Sequence, residues 1–150
     1  MSIREDIAID IVQDLKDITN PAPVIVSRNP IKLTDLSIAQ FPAIIVQTTN
    51  ETREDATMQP DKTRMSETEY TISAFVRADS SATTTNNNID TQRNNIIEAI
   101  SEKLEEDRTR NSKALNSYVT AITTDDGTAF PIGRVDITFV VLYKYTRGTL

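Results

Sequence analysis

The chain has 150 residues, enough for one domain with one core, and with 38% hydrophobic residues and only 5% aromatics that core must be mostly aliphatic. It has no Cys and no His, which excludes a disulfide framework, a thiol nucleophile, a histidine base and the usual transition-metal ligand sets. The net charge of −6 argues against a general nucleic-acid binder, no apolar run approaches the ~20 residues that span a bilayer, and the acidic opening MSIREDIAID lacks the form of a signal peptide.

A helix is expected over residues 3–18. Ile3, Ile7, Ile11, Leu15 and Ile18 recur at helical spacing, with Ala8 and Val12 beside them, and Ser2 with Glu5 three positions on fits a capping box. Asn20-Pro21 ends it, because the residue before proline avoids the α region. The face opposite the stripe carries Asp6, Asp10, Asp14 and Asp17, which reads as a solvated surface; the sharper alternative is a face kept acidic for a basic partner or to repel nucleic acid.

Pro21, Pro23 and Pro30 confine the next strand to residues 24–28 and place it at a sheet edge. FPAIIVQTTN predicts a second strand over 43–50, and SETEYTISAFVRA a third over 67–77, paired antiparallel. Residues 51–66 between them are polar and charged, and read as a long arm; 79–88, DSSATTTNNN, read as a flexible link.

A second helix is expected over 91–107, with Asp90 as N-cap and Ile89, Ile96, Ile97, Ile100 and Leu104 as its core stripe. Residues 1–20 and 90–107 together hold eleven acids and four bases, a net of −7, which leaves +1 for the rest. Arg108, Arg110 and Lys113 form a small basic cluster after this helix.

A short strand over 118–124 leads through the turn Asp125-Asp126-Gly127 to the longest pattern in the chain, PIGRVDITFVVLYKY. Val135, Ile137, Phe139, Val141, Tyr143 and Tyr145 alternate strictly, so all six share one face of a strand that belongs inside a sheet, with Ile137 and Phe139 under the helices. The fold class expected is α+β, a mostly antiparallel sheet with two helices packed on one face.

No pattern carries enzyme chemistry. The carboxylate pairs Glu54-Asp55 and Asp125-Asp126 sit in polar stretches and read as solvated charge, Ser80-Ser81 has no base beside it, and the chain's 3 glycines form no phosphate-binding loop. No cofactor or metal is expected.

The order of an amphipathic N-terminal helix, FPAIIV, YTISAFVRA, IIEAISEKLEE and PIGRVDITFVVLYKY resembles the tail terminator proteins of tailed bacteriophages, also called tail completion or head–tail joining proteins. The resemblance covers most of the chain as a pattern, and its most telling parts are Phe41-Pro42 before the second strand and the Tyr-rich final strand after Pro131 and Gly133. It implies a lambda-type fold with helices on one side of a sheet. It also implies a homo-oligomeric ring, six-membered in that family, that caps the tail tube at the tail–neck junction of the virion and is made in the host cytoplasm. The implied partners are the tail tube protein, the neck connector and, in a contractile tail, the sheath, with DNA passing through without specific binding and no membrane involved.

For such contacts the candidate residues are Arg53, Glu54, Asp55, Asp61, Lys62 and Arg64 in the arm, and Val140 and Leu142 on the less covered face of the last strand. Two other classes fit the same sequence. One is a different neck or head-completion protein or a tube subunit; the other is a carboxylate-only hydrolase or small-ligand module.

Overall fold

The computed structural model describes residues 2–19, 22–30, 40–55, 63–77, 89–125 and 132–146. Helix α1, Ile3–Lys16, starts where the Ser2 hydroxyl accepts the Glu5 N–H at 3.2 Å, and Glu5 and Asp6 in its first turn complement the helix dipole. Its stripe buries Ile7, Ala8, Ile11 and Leu15. Ile18 is also buried, although the helix has already ended at Asp17.

Strand β1, Ile25–Ser27, lies parallel to β2, Ala43–Asp55, which follows a cis Phe41–Pro42 bond. Strand β3, Thr63–Arg77, is antiparallel to β2. Helix α2, Ile89–Glu105, precedes β4, Asn116–Thr124, and β5, Ile132–Thr146. The five strands stand in the order β1-β2-β3-β5-β4, so β5 is interior and β1 and β4 are the edges. β5 is antiparallel to both of its neighbours. The fold is α+β with a mostly antiparallel sheet, as the hydrophobic pattern requires.

The core lies between one sheet face and both helices. Ile7, Ile11 and Leu15 of α1 and Ile96, Ile100 and Leu104 of α2 join Ile44, Val46, Tyr70, Ile72, Ala74, Val135, Ile137, Phe139 and Val141 in one buried cluster. Ile137 and Phe139 are both fully buried within it. Gly133 is glycine for a packing reason: a Cβ there would meet Ile89 of α2 at 2.8 Å and Arg93 at 3.3 Å. The other sheet face holds a smaller cluster of Ala43, Ile45 and Phe75, flanked by Ile25, Phe41 and Ile132.

The structure corrects three boundaries. Residues 51–55 and 63–66, expected in a long arm, are strand, laddered to each other and, through β3, to β5. Their polar side chains masked the extension, but backbone pairing does not require apolar side chains. Only 56–62 separate the two strands; those residues and the 79–88 stretch lie outside the described residues. β4 begins two positions earlier than expected, at Asn116, and α2 begins at Ile89, which puts Asp90 inside its first turn rather than at the cap.

Candidate functional site

β2, β3 and β5 run on past the aliphatic core as a polar end of the sheet. The first turn of α1 reaches it at Tyr70, whose hydroxyl donates to the Arg4 carbonyl at 3.4 Å, and at Glu51, 3.6 Å from the Arg4 guanidinium. Beyond that row the helix-side face carries Arg53, Ser66 and Tyr143 in one register row and Arg64 and Tyr145 in the next helix-side row.

A β-bulge makes this possible. The β2–β3 register shifts between Thr48 and Asn50, leaving Thr49 unpaired. Side chains alternate strictly along an unbroken strand, so the parity that points Ile44 and Val46 at the helices would send Glu51 and Arg53 to the opposite face. The extra residue reverses that parity and brings both to the helix side.

Glu51 is the hub. One carboxylate oxygen accepts from Ser66 Oγ at 2.6 Å, Tyr143 OH at 2.7 Å and Thr68 Oγ1 at 3.2 Å. The other accepts from Arg53 at 3.1 Å. Ser66 and Thr68 are completely buried. Burial by itself would raise the Glu51 pKa, but the hydrogen bonds from Ser66, Tyr143 and Arg53 outweigh it and hold the carboxyl at about 2. Burial pushes the Tyr143 and Tyr70 phenols up. Arg53 completes the layer by lying over the Tyr145 ring, 5.1 Å from its centroid.

The residues expected at contacts fall into two groups. Arg53 is half-buried within the hub, while Glu54 is exposed on the opposite face of β2. Asp55 is the register partner of Arg64, which is half-buried and pairs in turn with Tyr145. Asp61 and Lys62 lie outside the described residues. Val140 and Leu142 point to the face turned away from α1 and α2, but Val140 is only 2% exposed and Leu142 half-buried, flanked in register by Glu69 and Tyr118 and by Glu67 and Asn116. At Val140 the chain itself covers nearly all of the side chain.

Arg110 departs furthest from its sequence reading. It is not part of a surface basic cluster but fully buried, 2.5 Å from Asp14 and 3.4 Å from Asp10. It also donates to the Leu104 carbonyl at 2.6 Å and to the Asp107 carbonyl, and it lies 5.7 Å from the Phe139 ring centroid. Asp10 and Asp14 are consequently not simply a solvated face. Burial, and the neighbouring Asp14 charge after it, raise the Asp10 pKa. The turn that aims Arg110 inward has three consecutive non-glycine residues at positive φ, Arg110, Asn111 and Ser112. The Asp107 carboxylate steadies it by accepting from the Asn111 N–H at 2.7 Å and the Thr109 hydroxyl at 2.8 Å. Asp125, expected as solvated charge, is instead ion-paired to Arg93 of α2 at 2.5 Å.

These arrangements join elements that lie far apart in sequence. A carboxylate held at about 2, with donors on both oxygens, is a poor proton acceptor near neutral pH. Among the described residues no group of three or more Asp or Glu is placed to hold a metal ion, and no helix is long and apolar enough to cross a membrane.

No protein-family model matches the chain, and no curated protein does. Among solved structures, a chain of "Virion of native gene transfer agent (GTA) particle" is similar over 90% of this chain and 92% of that one, at 10% identity and a TM-score of 0.45. A superposition that loose carries no functional argument.

Proposed function

We propose that this chain is a non-enzymatic virion protein that closes into a ring of six on the end of a phage tail tube and joins it to the neck. The observation that carries the reading is the polar end of the sheet. β3 and β5 are 15 residues each and β2 is 13, longer than the helix-covered core uses, and their excess length is fixed by the Glu51 hub. A rigid, charged extension that the core does not need suits a contact with a neighbouring subunit or with the tube, where mixed charges set register more than affinity.

The resemblance in element order and in the Tyr-rich last strand supports the same assignment. The ring contacts are heterologous, with Arg53, Glu54, Asp55 and Arg64, together with Asp61 and Lys62 in the intervening stretch, facing the neighbour or the tube. The partners are the tube protein, the neck connector and, in a contractile tail, the sheath; DNA passes through unread.

Mixing the purified protein with tail tubes tests this. Capped tubes of fixed length, and loss of capping in Glu54→Lys with an unchanged thermal midpoint, are expected. Long tubes formed by the protein alone would make it a tube subunit instead, and neither binding nor assembly would overturn the reading.

A further inference from the structure

One buried cation serves two carboxylates. Asp10 and Asp14 stand four positions apart on α1, and their Oδ2 atoms lie 3.4 and 2.5 Å from the same nitrogen, Nη1 of the fully buried Arg110. Asp14 accepts the hydrogen bond from that nitrogen. Asp10 Oδ2 is buried and has no hydrogen-bond partner among the described residues. An ionised carboxylate is costly in such a position, and this pair carries one negative charge more than Arg110 neutralises.

The turn that delivers Arg110 is held against its own backbone preference. Arg110, Asn111 and Ser112 have φ of 48°, 58° and 66°, and none is glycine. The same turn is tied to the start of β4, where the Ser117 hydroxyl donates to the Arg108 carbonyl at 2.8 Å. It is closed by the Ala114 N–H, which donates to the Thr109 carbonyl at 2.8 Å. A strained turn drawn inward by an ion cluster has two states, and the charge of the cluster sets their balance.

We propose that Asp10, Asp14 and Arg110 form an acid-tightened latch between α1 and the turn that leads into β4: a proton on Asp10 closes it, and ionisation of Asp10 loosens it. With Asp10 neutral, Arg110 pairs one to one with Asp14, and the orphaned oxygen no longer bears a charge. The other charges around Asp10 do not reverse this. Asp6, one turn earlier on α1, is like-charged, and so is Asp107 beyond α2. Lys113 attracts but is exposed and screened by solvent. Lys103 and Glu106, at the end of α2, pair with each other. Burial, and the Asp14 charge after it, raise the Asp10 pKa above the ordinary aspartate value. A raised folded pKa favours the closed turn in acid, and that support is lost as pH rises through the folded value. Glu51 has the opposite dependence, so the two ends of the molecule answer acid in opposite directions. The latch does not depend on the ring.

Hydrogen exchange of the full chain between pH 7 and pH 4, corrected for the intrinsic rate, tests the latch. Protection of the Ala114 N–H should rise severalfold as pH falls. In Asp10→Asn, which is neutral throughout, protection should be high and flat. In Asp17→Asn, which removes an exposed charge just past α1, the parent's slope should remain. A carboxyl-carbon NMR titration of the unsubstituted chain should place Asp10 above the ordinary aspartate value. Parent protection that is flat or falls in acid, or a slope that Asp17→Asn also removes, would overturn the proposal. So would an Asp10→Asn variant less protected than the parent at pH 7, or an Asp10 that titrates at or below the ordinary value.

Discussion

The Tyr143 hydroxyl donates to Glu51 at 2.7 Å across 92 positions of sequence. That bond ties β5 to β2 across β3, which contributes Ser66 and Thr68 to the same carboxylate. The polar end of the sheet is therefore fixed by a half-buried charge rather than by aliphatic packing. This costs desolvation but specifies one geometry, because a carboxylate with several directed donors has few alternative arrangements.

Acid should loosen this end first. The folded pKa of Glu51, about 2, lies below its ordinary value of 4.5. Its contribution is therefore complete above pH 4.5 and is lost as pH falls through 2. The shift corresponds to about 3 kcal/mol at most. Denaturant titrations from pH 7 to pH 2 should show this slope in the parent and a shallower one in Glu51→Gln, which is already less stable at pH 7. Parallel slopes would show that the hub does not govern acid stability.

Removing Arg110 should be among the most costly single changes. Arg110→Met keeps much of the volume but leaves Asp10 and Asp14 half-buried without their cation and strands two carbonyls. A loss of about 3–5 kcal/mol in urea unfolding is expected. Adding Asp10→Asn and Asp14→Asn should recover part of it. An Arg110→Met variant as stable as the parent would mean that the cluster is a surface feature after all.

The core face of β5 can be probed at two positions. Phe139→Ala should cost about 3–5 kcal/mol through the cavity left under the helices. Gly133→Ala should cost about 1–3 kcal/mol through overpacking, since the Ile89 side chain must give way to the new Cβ. Thermal unfolding of both variants provides the check, and a loss below about 1 kcal/mol for Phe139→Ala would show that this face is not the core.

The strands and helices were legible because burial leaves a period: the alternation in β5 and the four-residue steps in α1 both survive as patterns of apolar residues. What was not legible has no period. Glu51 and Arg53 reach the helix side only through the bulge at Thr49, and a bulge without glycine leaves no clear trace in one sequence. Arg110 looked like one of three surface bases, since its partners Asp10 and Asp14 are about 100 positions away in sequence and its inward aim depends on a left-handed turn built without glycine. The hydroxyls of Ser66 and Thr68 carry no local mark of their role either, because their acceptor, Glu51, lies on another strand.

Replacing residues 56–62 with a tight two-residue turn should leave the thermal midpoint nearly unchanged, because β2 and β3 are already paired as far as Asp55 and Arg64. Tube capping by the same variant should fail. Normal capping would make the stretch a tolerated insertion, and failure to fold would contradict the observed pairing of the two strands.

Negative-stain electron microscopy of the purified protein mixed with tail tubes tests the central claim most directly. A six-fold ring on one end of each tube, and no tubes in the protein alone, is the expected result. Bare tube ends at saturating protein, or long tubes formed by the protein by itself, would contradict it.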